Sequence, residues 1–92
     1  MTPYEEIVTL TQQAQQAIAS RDYNSAIAAY SQSLKLAQEL NRPKLIAVLF
    51  DRRGKALEQQ GDVQQSVIAY ESALQSLLPD ASDEVDKMIS RL

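Results

Sequence analysis

Apolar positions along this chain recur three and four residues apart in long stretches, the spacing of amphipathic helices. Ile7, Leu10, Ala14, Ala17 and Ile18 mark the first stretch, predicting a helix over about residues 3–20. Thr2-Pro3-Tyr4-Glu5 opens it: Thr2 can cap, Pro3 suits the first helical position, and Glu5 completes a capping box. Arg21-Asp22 reads as a turn, with Asp22 capping a second helix. Tyr23, Ala26, Ile27, Tyr30, Leu34 and Ala37 form that helix's apolar face, and the pattern runs to Leu40. Asn41-Arg42-Pro43 ends it, because Asn tolerates a left-handed cap and Pro cannot continue a helix interior.

Pro43 opens a third helix whose apolar positions include Ile46, Leu49, Phe50 and Leu57. Gly61-Asp62 is the clearest break in the chain, a C-cap followed by a capping box with Gln65. The fourth helix carries Val63, Val67, Tyr70, Ala73, Leu74 and Leu77 on its apolar face, and Pro79 stops it. A short closing helix is expected over 82–92, capped by Asp80 or Ser82, with Val85, Met88, Ile89 and Leu92 on one side. The expected fold is all-α, one domain of five helices joined by short connections.

The second half of the pattern repeats the first. Asp22 aligns with Asp62, Ala29 with Ala69, Tyr30 with Tyr70 and Leu34 with Leu74, an offset of 40 residues. A period of that size is the mark of a solenoid, in which each unit covers the apolar face its neighbour leaves bare. Such scaffolds mostly bind other proteins.

Composition narrows the chemistry. The 92 residues contain neither Cys nor His, which removes Cys nucleophiles, disulfides, His bases and the usual zinc ligand sets. No nucleophile–base pair or phosphate loop is visible, so no enzyme and no cofactor is expected. The net charge of −3 argues against a nucleic-acid partner. No run of apolar residues is long enough to span a bilayer and no basic, apolar leader is visible, so no membrane insertion and a cytoplasmic location are expected. Charge is uneven: Arg42, Lys44, Arg52, Arg53 and Lys55 cluster, while Glu71, Asp80, Asp83, Glu84 and Asp86 make the far end acidic.

The second unit resembles a tetratricopeptide repeat, a family built on a pattern of about 34 residues forming two antiparallel helices. Starting at Ala47, Phe50, Gly54, Leu57, Gly61-Asp62-Val63, Ser66, Tyr70, Ala73 and Pro79 fall on its signature positions. The first unit, 7–40, fits at Leu10, Ala14, Ala17, Asp22, Tyr23, Ala26, Tyr30, Ser33 and Leu34. Residues 41–46 are then an insertion and 47–80 the second repeat, as in the longer variant of about 40 residues. The resemblance implies an α-solenoid of two antiparallel hairpins with 82–92 as a C-terminal capping helix.

It also implies a concave groove lined by the first helix of each hairpin. Carried over residue by residue, the groove positions include Val8, Thr11, Gln12 and Gln15 in the first repeat. In the second they include Val48, Asp51, Arg52, Lys55, Glu58 and Gln59, with Lys44 extending the same stripe. The implied function is a non-enzymatic interaction module that holds a peptide or helix of a partner protein. Arg52 and Lys55 would meet an acidic side chain or carboxylate, unless Asp51 simply pairs with Lys55 on a solvated face. The carboxylate clamp of the family's chaperone-binding members is not expected, since Thr11 and Gln15 stand where those members carry Lys and Asn. The alternative is an assembly unit, or part of a longer array, that associates with copies of itself through its ends, with Val85, Met88 and Ile89 as the apolar part of the seam.

Overall fold

The computed structural model describes residues 2–77, which form four α-helices: α1, Pro3–Ala19; α2, Tyr23–Glu39; α3, Pro43–Gln60; and α4, Val63–Leu77. The expected closing helix 82–92, with Val85, Met88 and Ile89, and the stop at Pro79 lie outside the described residues. Each helix packs on the one before it, α1 on α2, α2 on α3 and α3 on α4. None of the four is long and apolar enough to cross a membrane.

The helix starts follow local chemistry. Thr2 Oγ1 accepts from the Glu5 amide at 3.2 Å, Asp22 Oδ1 from the Ser25 amide at 3.3 Å, and Asp62 Oδ1 from the Gln65 amide at 3.1 Å. Only this half of each capping box forms among the described residues. α3 begins without a side-chain cap, on Arg42 followed by Pro43.

The three helix ends share one hydrogen-bond pattern. After α1, the Asp22 amide donates to Ala17 O at 2.7 Å and the Arg21 amide to Ile18 O at 2.9 Å. After α2, Arg42 and Asn41 bond back to Ala37 and Gln38 in the same way; after α3, Asp62 and Gly61 bond back to Leu57 and Glu58. This Schellman arrangement needs a left-handed residue at its centre. Gly61 takes it at φ 98 and Asn41 at φ 54, while Arg21 is held there at φ 60 without any intrinsic preference.

The 40-residue offset survives folding. Pro3 and Pro43 both open helices, as do Tyr23 and Val63. Small residues at matching positions are buried in both halves: Ala14 with Gly54, Ala26 with Ser66, and Ala29 with Ala69. They let the backbones approach. Gly54 shows the constraint directly, because a Cβ there would lie 2.8 Å from Tyr70 Cε1.

The two halves differ in what covers them. The main core gathers Ile7 and Ala14 of α1, Ala26, Tyr30, Leu34 and Ala37 of α2, and Leu49 and Ala56 of α3. α2 is thus covered on both sides. Among the described residues α4 has a helix on one side only. Leu34 is 4% exposed, whereas its counterpart Leu74 is 59% exposed. Tyr30 is buried and Tyr70 half-buried; Ala37 is buried and Leu77 exposed. Val63, Val67, Leu74 and Leu77, expected on the apolar face of the fourth helix, are exposed. The pattern identifies an apolar face but cannot say whether another element covers it.

Candidate functional site

Two open hollows meet along one side of α3. The first, about 630 Å³, takes Tyr4, Ile7 and Val8 from α1 and Pro43 and Leu45 from α3. Leu77 of α4 also lines it, and Arg42 and Lys44 bring positive charge. The second, about 500 Å³, lies between α3 and α4. Ala47, Val48 and Asp51 form one wall; Tyr70, Ala73, Leu74 and Leu77 form the other. Lys44 and Leu77 line both hollows, which join them into a single trough. Each volume falls in the range of ligand clefts.

Helical spacing explains the α3 wall. Lys44, Val48 and Asp51 stand four and three residues apart and so share a stripe. The trough is mostly aliphatic, and much of that surface faces solvent: Val8, Val48, Leu74 and Leu77 are all about half exposed or more.

Tyr70 shapes the floor of the second hollow. Its ring edge lies against Gly54, and its hydroxyl donates to Glu58 Oε2 at 3.0 Å. Both partners belong to α3, so the ring is fixed from two points of one helix. Burial of the phenol pushes its pKa above 10.0, helped by the hydrogen bond and charge of Glu58 and by the charge of Asp51.

The charges divide into used and unused. Lys55 Nζ lies 3.3 Å from Asp51 Oδ2, an exposed i,i+4 pair of the ordinary kind. The Arg42 guanidinium sits 5.7 Å from the centre of the Tyr4 ring, tying the α2–α3 turn to the start of α1. Neither Arg42 nor Lys44 forms an ion pair among the described residues.

Four expected groove residues, Val8, Lys44, Val48 and Asp51, come together in this trough. Thr11, Gln12, Gln15, Arg52, Lys55 and Gln59 line neither hollow. Thr11 Oγ1 donates to its own helix at Val8 O, 2.9 Å away, and Lys55 is engaged with Asp51. The trough residues that the sequence reading did not place in a groove include Tyr4, Arg42, Leu74 and Leu77. Arg42 sits inside a helix terminator, which hid its other role. Leu74 and Leu77 were read as part of the fourth helix's apolar face, and helical spacing alone does not tell that this part faces solvent.

Compared with known proteins, the chain matches no family model, no curated protein and no solved structure.

Proposed function

We propose that this chain is a non-enzymatic interaction module of tetratricopeptide-repeat type, a two-hairpin α-solenoid, and that its trough holds an amphipathic segment of a partner protein. The 40-residue recurrence of helix starts and buried small residues supports the repeat reading. The observation that carries the binding reading is the aliphatic trough around Val48, Leu74 and Leu77. Burying half of one such side chain is worth about 1 kcal/mol, so Val8, Val48, Leu74 and Leu77 together contribute about 4 kcal/mol, the scale of a millimolar complex before any polar contact is added. On this reading the contacts come from the Lys44–Val48–Asp51 stripe and the α4 wall rather than from Arg52 and Lys55.

The test is capture from native lysate on immobilised protein, read by mass spectrometry. Wild type runs beside Val48→Asp/Leu74→Asp and Arg52→Glu/Lys55→Glu, each of confirmed helicity. A protein held by wild type and by the Arg52/Lys55 variant, but lost with Val48/Leu74, supports the trough. Retention by the Val48/Leu74 variant sinks it.

The half-covered α4 favours a second reading, assembly with copies of the same chain or membership of a longer array. Head-to-tail stacking would press α1 of one copy against α4 of another. The α1 counterparts of Leu45, Ile46 and Leu49 are Glu5, Glu6 and Thr9, and burying them would be costly. A symmetric pairing of two α4 faces avoids that cost. Sedimentation velocity would show it as a concentration-dependent dimer that Leu74→Asp dissolves; a monomer at high concentration removes it.

A further inference from the structure

We infer that the segment held in the trough carries a carboxylate at one end of a short aliphatic run, and that Arg42 and Lys44 recognise it. The inference rests on the trough being a peptide site and goes further by naming the partner's chemistry and the end of the trough that its carboxylate meets.

Among the described residues, three charged side chains line the trough: Arg42, Lys44 and Asp51. Asp51 is neutralised by Lys55 at 3.3 Å. The other two are cations at the opposite end, and among the described residues the wall of the first hollow holds no acidic side chain. Arg42 is steadied over the Tyr4 ring at 5.7 Å, a contact through the face of the guanidinium's partner ring that leaves its N–H donors available. Lys44 makes no ion pair among the described residues. This local positive end stands out on a chain whose net charge is −3, so it is not a sample of a generally basic surface.

The arrangement is polar along its length. From Lys44 to Asp51 the α3 wall rises about 10 Å, close to two helical turns. A bound segment therefore meets, at one end, two cations that have no ion-pair partner among the described residues, then aliphatic side chains along the middle, and a neutral ion pair at the other end. An acidic residue followed by Leu- or Ile-like side chains at helical spacing satisfies all three. A basic residue at the first end would desolvate beside Arg42 and Lys44 without a partner.

Two fluorescent synthetic peptides of about three helical turns test this. Both carry the same leucines at i, i+3, i+4 and i+7; one has two Glu in its first turn and the other two Lys. Fluorescence anisotropy with the full chain should show the Glu peptide binding at least about tenfold more tightly, with the gap closing near 0.5 M salt. Arg42→Glu/Lys44→Glu should invert the preference, and Leu74→Asp should weaken both peptides.

Equal affinity of the two peptides, both lost in Leu74→Asp, overturns the acidic preference while leaving the trough intact. Binding of neither peptide, or binding indifferent to Leu74→Asp, removes the trough reading and this inference with it. Two other occupants would also overturn it. If both peptides bind only after Met88→Ser/Ile89→Ser, the chain's own residues 78–92 fill the trough. If the peptides bind only as a Leu74-dependent dimer dissociates, a second copy does.

Discussion

Replacing Gly54 by Ala should destabilise this chain even though it improves the helix. Gly54 lies inside α3, where Ala is favoured over Gly by about 1 kcal/mol. Against that, the new Cβ would meet Tyr70 at 2.8 Å (Cε1), 3.0 Å (Cδ1) and 3.1 Å (Cζ). Relaxed carbon–carbon contacts sit at about 3.5–4.0 Å, so the ring must move by roughly half an ångström or more. It is not a free end that can swing aside, because its hydroxyl is bonded to Glu58 at 3.0 Å on the same helix. Overpacking of this kind costs about 1–3 kcal/mol, leaving a net loss of about 1 kcal/mol. Removing the ring reverses the sign: in a Tyr70→Ala background, Gly54→Ala should stabilise by about 1 kcal/mol. The coupling between the two sites is then about 2 kcal/mol, well outside the additivity expected of independent positions. Urea unfolding of all four species, followed by circular dichroism at constant slope, measures it. Stabilisation by Gly54→Ala in both backgrounds would show that the Tyr70 ring does not hold the helices at their present spacing.

Other outcomes follow from the same structure. Arg21→Gly should stabilise by about 0.5–1 kcal/mol, because Arg21 is held at φ 60 and Gly enters that region without steric cost; a lower urea midpoint would refute this. Tyr30→Ala should cost about 3–5 kcal/mol, most of a small domain's stability, whereas Tyr70→Ala should cost less because Tyr70 is half-buried. Similar losses at the two sites would contradict the one-sided cover of α4. In a spectrophotometric titration, the Tyr70 phenol should ionise above pH 10.0, identified by subtracting the Tyr70→Phe titration. Since the folded chain holds this proton more tightly than the unfolded one, its contribution to stability is complete below pH 10.0 and lost as pH rises through the folded value. Glu58→Gln should bring the ionisation part of the way back, burial of the ring and the charge of Asp51 accounting for the remainder; no shift would mean that Glu58 does not face the phenol.

Helix number and limits for residues 2–77 were legible in the sequence because their signals are local. Thr2, Asp22 and Asp62 cap through atoms three residues away, and Asn41 and Gly61 reach the left-handed region by their own preference. Arg21 shows the limit of such signals: nothing in Arg favours φ 60, and only the closing hydrogen bonds of the α1 turn hold it there. Part of the trough was legible too, since Lys44, Val48 and Asp51 share a stripe by helical spacing alone. Arg42 was not, because its place in a terminator says nothing about the Tyr4 ring beside it.

Leu34 and Leu74 mark the boundary between the two kinds of information. They occupy the same position in nearly the same pattern, and each belongs to an apolar helix face. That much the order of residues determines, through a periodicity every helix must obey. Leu34 is nonetheless 4% exposed and Leu74 59%. The difference arises from neighbours: α2 is packed between α1 and α3, whereas among the described residues α4 has α3 on one side only. Periodicity is a property of one segment, while burial belongs to the packing of several. The chain alone thus specifies which faces are apolar, and the tertiary arrangement leaves one of them open beside Arg42 and Lys44.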